Sequence, residues 1–530
     1  MVLAMSLDAL GVACMVVNDA RLPRQLPKGS TQNARTMEHY RRLGVADRIR
    51  ELGLPKDRAT DVVYFTRYDG WELQRIRMPS EREKLRARDD AEPTDQVVEP
   101  VFRCNQMEVE AFLFAHLATL PGVQMRFGWR CTGLDPTGGG VSVELDDVAN
   151  GRRERHEAAY VVGCDGGQSF VRRRLGISYG GGEPARQAYL GGPMVSSHVR
   201  APELHERVIR TPGWQYWAVN REVRSNTVCI DGHAELLFNT RLDDGAQADD
   251  ELIERAFVAS VGAPIPVEII GHATWTAGQA LVADRFADGR ALLAGDAAHL
   301  FTPTGGFGVN TGVDDAANLG WKLAALVQGW GGPRLVDSYE AERRAIALRN
   351  TAAAKDLARN VGAVPVGEAI EDHSAAGAAA RGAATEHLAG FGREFSSLGV
   401  QLGARYDDSP IVVADGTSPP PDDPITYIPS ACPGGRAPHL WLEDRSSLFD
   451  HLGPGFTLLR IGASTRDVSP LTRAAQARGV PLSVLDVRRA EARELYEREL
   501  TLIRPDQHVA WRGDRLPRDC DELVARVTGW

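Results

Sequence analysis

The residues with the clearest chemical potential lie in the glycine-rich segment 295–310. An apolar run at 291–294 predicts a strand before it, and a helix is expected from about 309 to 330. Ligands bind beside the carboxyl ends of strands in open α/β sheets. Asp296 accepts hydrogen bonds when it is ionised, and a helix N-terminus offers free N–H groups. The segment therefore predicts a ligand site, with a glycine-rich turn capped by Asp296 as the structural alternative.

The glycines of this segment let the backbone approach a flat ligand closely. A helix that begins near residue 309 places partial positive charge beside that ligand, which would stabilise the anionic edge of a reduced flavin. We therefore expect cofactor contacts from the following residues: Gly295, Asp296, Gly305, Gly306, Gly308, Val309 and Asn310.

Two further motifs are weaker evidence for a cofactor site when each is considered alone. Asp165-Gly166 follows the apolar run 160–162, which predicts a buried strand, and the dipeptide could be only a turn. Lys28 precedes a helical pattern that runs from 30 to about 52. A basic residue at such a place suits a pyrophosphate, but it is equally typical of a solvated helix start.

Together, the three motifs closely resemble, in order and separation, the class A flavoprotein aromatic hydroxylases, which are the para-hydroxybenzoate hydroxylase-like FAD monooxygenases. The resemblance covers residues 1 to about 350. It implies that Asp165-Gly166 is the motif associated with FAD and NAD(P)H, and that Gly295-Asp296 lies at the FAD ribose. It further implies contacts to FAD, or to flavin and substrate, from three residues: Lys28, Gln106 and Pro303.

The resemblance also implies a reaction. NADH or NADPH reduces FAD, O2 adds to form a C4a-hydroperoxide, and an electron-rich phenolic or polycyclic aromatic ring is hydroxylated. The substrate would lie between the flavin and a sheet formed by residues 180–275. Candidate residues of the pocket are Tyr216, Trp217, His233 and Pro303, and the sequence assigns no catalytic residue.

The start of the sequence departs from the family pattern. Family members begin with a strand and a GxGxxG loop that admits the FAD pyrophosphate, whereas this sequence starts at Met1, inside the helix expected after that loop. Asn18 stands where an acidic residue would bind ribose, although an Asn can also do so. Two hypotheses follow: a working hydroxylase with a glycine loop upstream, or a truncated, non-catalytic relative that binds an aromatic ligand without tight FAD.

The expected fold class is α/β, with an α+β substrate sheet. A Rossmann-like FAD-binding domain is predicted at 1–180 and 275–350, interrupted by an antiparallel substrate-binding sheet at 181–274. A helical segment at 351–414 and a Pro- and Asp-rich linker at 415–437 follow. Residues 438–530 resemble the thioredoxin-like tail of the phenol and polyketide hydroxylase branch. Because this tail lacks a CxxC pair, it is expected to be structural.

Composition narrows the class of partner. The net charge of −10 and the scattered basic residues argue against nucleic acid and favour an aromatic small molecule. The seven cysteines are far apart and form no CxxC pair, which predicts neither a disulfide framework nor a metal site, and fits a reducing cytoplasm. No stretch is apolar over the roughly 18 residues of a membrane span, so no membrane partner is expected. A monomer or a homodimer fits this composition.

Overall fold

The computed structural model of the protein describes residues 1–180, 193–243, 245–276, 280–362, 364–395, 397–462 and 466–530. Its α-helices are α1 (Val2–Ala9), α2 (Ala34–Arg42), α3 (Ala46–Ile49), α4 (Glu81–Asp89), α5 (Gln106–Leu117), α6 (Phe170–Arg174), α7 (Asp250–Val261), α8 (Phe307–Gln328), α9 (Arg334–Gly362), α10 (Ala375–Leu388), α11 (Gly392–Phe395), α12 (Leu398–Leu402), α13 (Ser469–Ala477), α14 (Ala490–Tyr496) and α15 (Cys520–Val527). Shorter helical turns are Leu204–Val208, Gly295–Ala297, Thr304–Gly306, Ala389–Phe391 and Leu448–His451.

The strands are β1 (Cys14–Asn18), β2 (Thr31–Gln32), β3 (Val62–Phe65), β4 (Glu72–Ile76), β5 (Phe102–Arg103), β6 (Val123–Phe127), β7 (Trp129–Pro136), β8 (Val141–Asp147), β9 (Arg153–Ala158), β10 (Val161–Gly163), β11 (Tyr179–Gly180), β12 (Pro193–Arg200), β13 (Gln215–Val219), β14 (Arg224–Cys229), β15 (Glu235–Arg241), β16 (Glu268–Thr276), β17 (Leu281–Ala283), β18 (Ala287–Asp288), β19 (Ala291–Leu293), β20 (His299–Leu300), β21 (Phe456–Ile461), β22 (Leu482–Val487), β23 (Leu500–Ile503) and β24 (Val509–Gly513).

Parallel strand pairs form the α/β part of the molecule. β1 pairs with β6, and β10 pairs with β19, which β18 extends antiparallel. Helix α1 packs on α8, and a side chain at Gly320 would come within 2.8 Å of Ser6, so this close crossing requires glycine. The apolar run at 12–17 predicts a strand buried on both faces. β1 is instead half-buried over residues 14–17, and among the described strands it pairs with β6 alone.

The largest sheet has seven strands in the order β16-β12-β15-β14-β13-β3-β4. All its pairs are antiparallel except β13 with β3. Helix α7 covers one face, where Phe257 meets Phe238 edge to face and Ser260 bonds Ser225. The opposite face, hereafter the open face, is covered where Phe391 contacts Tyr64 and where the Val364 carbonyl accepts from Arg224.

The C-terminal residues form a four-stranded sheet in the order β22-β21-β23-β24. β21 and β22 are parallel and the other two pairs are antiparallel, which is the strand arrangement of the thioredoxin fold. Trp321 and Trp330 of the α8 region share a hydrophobic core with Leu458 and Leu502 of this sheet. The C-terminal fold is therefore packed on the first domain through a common apolar core.

The segment 415–437 has no regular helix or strand, yet it is held to both neighbouring parts. Asp415 accepts from Arg512 at 2.8 Å, and Asp422 accepts from Arg349 at 2.7 Å. Residues 431–437 are buried. None of the described helices combines the length and the hydropathy that crossing a membrane requires.

Candidate active site

Three loops converge where the sequence predicts the cofactor. The Lys28 ammonium lies 3.6 Å from the Asp296 carboxylate, and both side chains are about half exposed. The carbonyl of Gly29 accepts from the Gln106 N–H at 2.7 Å, which fixes the start of α5 beside the Lys28 loop. Lys28, Gln106 and Asp296, which are far apart in sequence, therefore border one exposed cleft.

Asn310 joins helix α8 to the loop of residues 28–33. Its Oδ1 accepts from the Asn33 N–H at 2.9 Å, and its Nδ2 donates to the Thr31 carbonyl at 3.0 Å. A side chain at Gly306 would lie 3.3 Å from Thr31. Asn310 is buried, so this double hydrogen bond sets the distance between the glycine turn and the 28–33 loop.

The glycine turn leads directly into the 22-residue helix α8. Gly305 and Gly306 have φ of 76° and 64°, in the left-handed region that favours glycine. Gly306 precedes the helix and no side chain caps its first turn, which contains Gly308 and Val309. Pro303 is exposed just before the turn. The N–H groups of this helix start can therefore serve an anionic or acceptor edge of a ligand.

The buried carboxylate of Asp315 holds the Gly295-Asp296 turn in place. Asp315 accepts from the Gly295 N–H at 3.0 Å, from Arg343 Nε at 2.7 Å, and contacts His299 Nε2 at 2.6 Å. Burial would raise the pKa of Asp315, but His299 and Arg343 outweigh it and hold the pKa below its usual value. Asp315 is therefore ionised and fixes the backbone beside Asp296.

The network continues into the C-terminal fold. Arg343 also pairs with Asp314, whose Oδ1 lies 2.9 Å from His39 Nε2. Arg35 donates to the Asp506 carbonyl at 2.7 Å and to Gln507 at 2.6 Å. The sequence analysis missed this cluster. Its only local signal is the pair of acids Asp314 and Asp315 in the first half of α8, whose one other charged residue is Lys322.

The Asp165-Gly166 turn is tied to the Asp296 turn through Tyr179. The Tyr179 hydroxyl donates to the Asp296 carbonyl at 2.7 Å and lies 3.3 Å from the Gly167 carbonyl. Gly166 has φ of 79°. The Asp165 carboxylate accepts from the Val171 N–H at 3.1 Å at the start of α6. The turn motif thus has a structural function in this fold and lies beside the cofactor cleft.

Asn18 lies at the exposed end of β1, and its side chain accepts from the Ala20 N–H at 2.8 Å. No hydrogen bond or ion pair among the described residues connects Asn18 to the Lys28 and Asp296 loops. The role of Asn18 at the cofactor therefore stays a prediction.

The predicted pocket residues divide between two faces of the sheet. Trp217 lies on the face opposite α7 and stacks on Tyr64, with 5.7 Å between ring centroids. Tyr216 points the other way, because successive strand residues alternate, and its hydroxyl bonds Gly213 and His205. His233 is exposed in a hairpin turn closed by Asp231. Of these three, only Trp217 can line a pocket on the open face.

The donors and acceptors of this cleft fit FAD. Asp296 offers a carboxylate for ribityl or ribose hydroxyls, Lys28 a cation for a phosphate, and the uncapped start of α8 a set of N–H groups for the flavin edge. The close backbone approach of Gly312 to Gly295, with 3.3 Å left for a side chain at Gly312, keeps the turn against the helix. Among the described residues, no group of three or more His, Cys, Asp or Glu could hold a metal ion.

Comparison with known proteins agrees with this geometry. The family model for an FAD binding domain matches residues 1–354, and the model for the C-terminal domain of aromatic-ring hydroxylases matches residues 430–530. The chain belongs to the FAD-dependent aromatic-ring hydroxylases. It is accordingly an FAD-dependent aromatic monooxygenase that uses NAD(P)H and O2.

Individual relatives cover nearly the whole chain. An FAD-dependent monooxygenase, opdD, of Penicillium oxalicum is 32% identical over 91% of this chain and 95% of its own length. A phenol 2-monooxygenase of Pseudomonas sp. is 26% identical over 99% and 90%. The structure of the rebeccamycin biosynthetic enzyme RebC with reduced flavin superposes with a TM-score of 0.87, at 34% identity over 100% and 96%. None of them favours the non-catalytic alternative.

Proposed function

We propose that this hydroxylase acts on an electron-rich phenolic or polycyclic aromatic ring, held between the glycine turn at 303–308 and the open face of the seven-stranded sheet. The observation that carries the proposal is the approach of this sheet face to the cofactor loops. A side chain at Gly271, on the face that carries Trp217, would lie 3.1 Å from Leu26, two residues before Lys28. A relative named phenol 2-monooxygenase supports a phenolic ring, and one named putative polyketide hydroxylase supports a polyketide-derived ring.

When bound, FAD supplies the electron transfer and the O2 activation that side chains cannot provide. The protein's own residues hold the reactants in place. Asp315 and Arg343 fix the Gly295-Asp296 turn, Asn310 fixes the loop opposite it, and the N–H groups at the start of α8 stabilise negative charge that develops at the edge of a ligand. The apolar wall around Trp217 excludes water from the reacting ring.

The cofactor residues predicted from the sequence retain these proposed roles. Asp296 binds sugar or ribityl hydroxyls, Lys28 a phosphate, and Gln106 the chain of the cofactor. Asp165 and Gly166 contribute through the position of their turn. The seven cysteines are free thiols, which supports a reducing cytoplasm as the proposed location of a monomer or homodimer.

The test uses the purified full chain with FAD. NADH and NADPH oxidation is followed with a panel of phenols and fused-ring phenols, and products are identified by mass spectrometry. The proposal predicts oxidation stimulated by at least one phenolic ring and a product heavier by one oxygen atom. FAD-loaded protein that hydroxylates only non-aromatic compounds would contradict it.

A further inference from the structure

A straight row of side chains crosses the open face of the seven-stranded sheet. The strand register places Tyr64, Trp217, Asn226, Asn239, Ser196 and Ala273 directly beside one another on six adjacent strands. Strands lie about 4.8 Å apart, so the row is about 24 Å long. Its first two members are aromatic, the next three are polar and uncharged, and the last is an alanine.

This row faces the cofactor loops. The opposite face of the sheet is covered by α7 through Phe257 and Ser260. On the face of the row, a side chain at Gly271, two residues from Ala273, would lie 3.1 Å from Leu26. Leu26 belongs to the loop that ends at Lys28, so the row looks toward the Lys28 and Asp296 cleft.

The hydrogen bonds along the polar half have a fixed direction. The Trp275 indole can only donate, and its Nε1 lies 2.7 Å from Ser196 Oγ. The Ser196 hydroxyl therefore donates to Asn239 Oδ1 at 2.5 Å, which leaves the Asn239 amide nitrogen to donate to Asn226 Oδ1 at 3.4 Å. The chain of donors ends at the Asn226 amide nitrogen.

That last donor has no partner among the described residues. Asn226 is 3% exposed, and its Nδ2 is buried without a hydrogen bond. A buried donor without an acceptor destabilises the fold, so such groups are rare unless a ligand supplies the acceptor. Trp217 lies next to Asn226 in the row and offers a flat apolar surface beside the donor.

We infer that Asn226 is a specificity-determining residue that donates a hydrogen bond to a neutral oxygen acceptor, a carbonyl on or fused to the aromatic ring of the substrate. This inference rests on the proposed function and names its substrate class. The alternative is a substrate carboxylate, because Arg224 and Arg241 lie on the same face two residues from Asn226 and Asn239. We favour the neutral acceptor because the buried, unpartnered donor is on Asn226, whereas Arg224 donates to the Val364 carbonyl at 3.1 Å and Arg241 is exposed.

Three related phenols test the inference by calorimetric titration of the FAD-loaded chain without NAD(P)H: 7-hydroxy-4-chromanone, which has the carbonyl, 7-hydroxychroman, which lacks it, and 7-hydroxychromone-2-carboxylate, which adds an anion. We expect the chromanone to bind about tenfold more tightly than the chroman. Asn226→Leu should reduce that preference to near unity. Thr227→Val, which removes a polar group from the next residue on the covered face, should preserve the preference.

Each other outcome overturns the inference. Equal binding of chromanone and chroman to the unmodified protein would show that no carbonyl is recognised. Tightest binding of the carboxylate would assign the subsite to Arg224 and Arg241. If Asn226→Leu weakens the binding of chromanone and chroman equally, Asn226 only packs against the ligand and does not recognise the carbonyl. If none of the three probes binds, the proposed aromatic subsite does not exist. Failure of the proposed function is separate, since it appears as absent NAD(P)H oxidation while the titration still reports on Asn226.

Discussion

Asp315 and Arg343 form a buried ion pair, 2.7 Å between Oδ1 and Nε, directly behind the turn that carries Asp296. Through its other oxygen, Asp315 accepts from the Gly295 N–H at 3.0 Å. Asp315 on α8 and Arg343 on α9 thus hold the Gly295-Asp296 turn through charged hydrogen bonds, and both side chains are fully buried. The precision of the turn depends on this pair.

Asp315→Asn should destabilise the fold and release FAD. The substitution leaves the buried Arg343 with less compensating charge and weakens the contact with His299, and breaking a buried pair costs about 3–5 kcal/mol. Urea unfolding and FAD content of the purified protein measure the two effects. Asp288→Asn, at an exposed pair with Arg285, is the control and should change stability by less than about 1 kcal/mol. Equal stability of both variants would refute this role.

Asp296→Ala should weaken FAD binding about ten- to a hundredfold, because hydrogen bonds from sugar or ribityl hydroxyls to a carboxylate contribute about 1.5–3 kcal/mol. The exposed contact with Lys28 contributes little to folding, so the thermal midpoint should hardly move. FAD affinity is measured by titration of the apoprotein. Asp135→Ala, at the exposed pair with Arg174, serves as the control. Unchanged FAD affinity in Asp296→Ala would remove this residue from the site.

Arg504→Met should unfold both domains more easily. Arg504 donates to Glu342 at 2.6 and 2.8 Å and to Asp506 at 2.6 Å, with all three side chains buried between α9 and the C-terminal sheet. Loss of this cation costs about 3–5 kcal/mol, because Glu342 and Asp506 stay buried with less compensating charge. Arg460→Met, at a surface pair with Asp486, is the matched control. Stability would be followed by urea unfolding, and no loss in Arg504→Met would contradict a joined core.

Stability should fall as the pH drops from about 6.5 to about 4. Burial lowers the pKa of His205, His439 and His508 to about 4, whereas an unfolded histidine titrates near 6.5. Within this window the unfolded chain binds more protons, so each histidine removes about 1.4 kcal/mol per pH unit. Chemical unfolding at several pH values tests this, and His508→Asn should lower the slope by about 1.4 kcal/mol per pH unit. A slope that is unchanged in the variant would contradict the assignment.

The local elements near the site were predictable from the sequence. The alternating segment 215–219 predicts β13, which is observed as Gln215–Val219, and the helix expected from about 309 to 330 is observed as Phe307–Gln328. Asp296, with its glycines, lies between a strand and a helix as its motif indicates. Strand and helix periodicity, together with glycine and Asp spacing, is local information, so one sequence suffices to predict it.

The features that could not be predicted from the sequence depend on contacts between residues that are distant along the chain. Tyr216 and Trp217 are adjacent, so they cannot both face the pocket, and only the position of α7 decides which one does. Asp315 resembles any polar helix residue until Arg343, 28 positions away, is placed against it. Asn226 likewise gains meaning only when the sheet register sets Trp217 and Asn239 on either side of it.

The most direct test of the account is incorporation of 18O from 18O2 by the FAD-loaded full chain. With NAD(P)H and a phenolic ring that stimulates its oxidation, the account predicts a hydroxylated product that carries one 18O atom per molecule, formed in step with NAD(P)H consumed. Asp296→Ala should lose product formation at limiting FAD and regain it when FAD is raised. NAD(P)H oxidation that yields only hydrogen peroxide with every aromatic ring offered, or a product whose oxygen comes from water, would contradict the account.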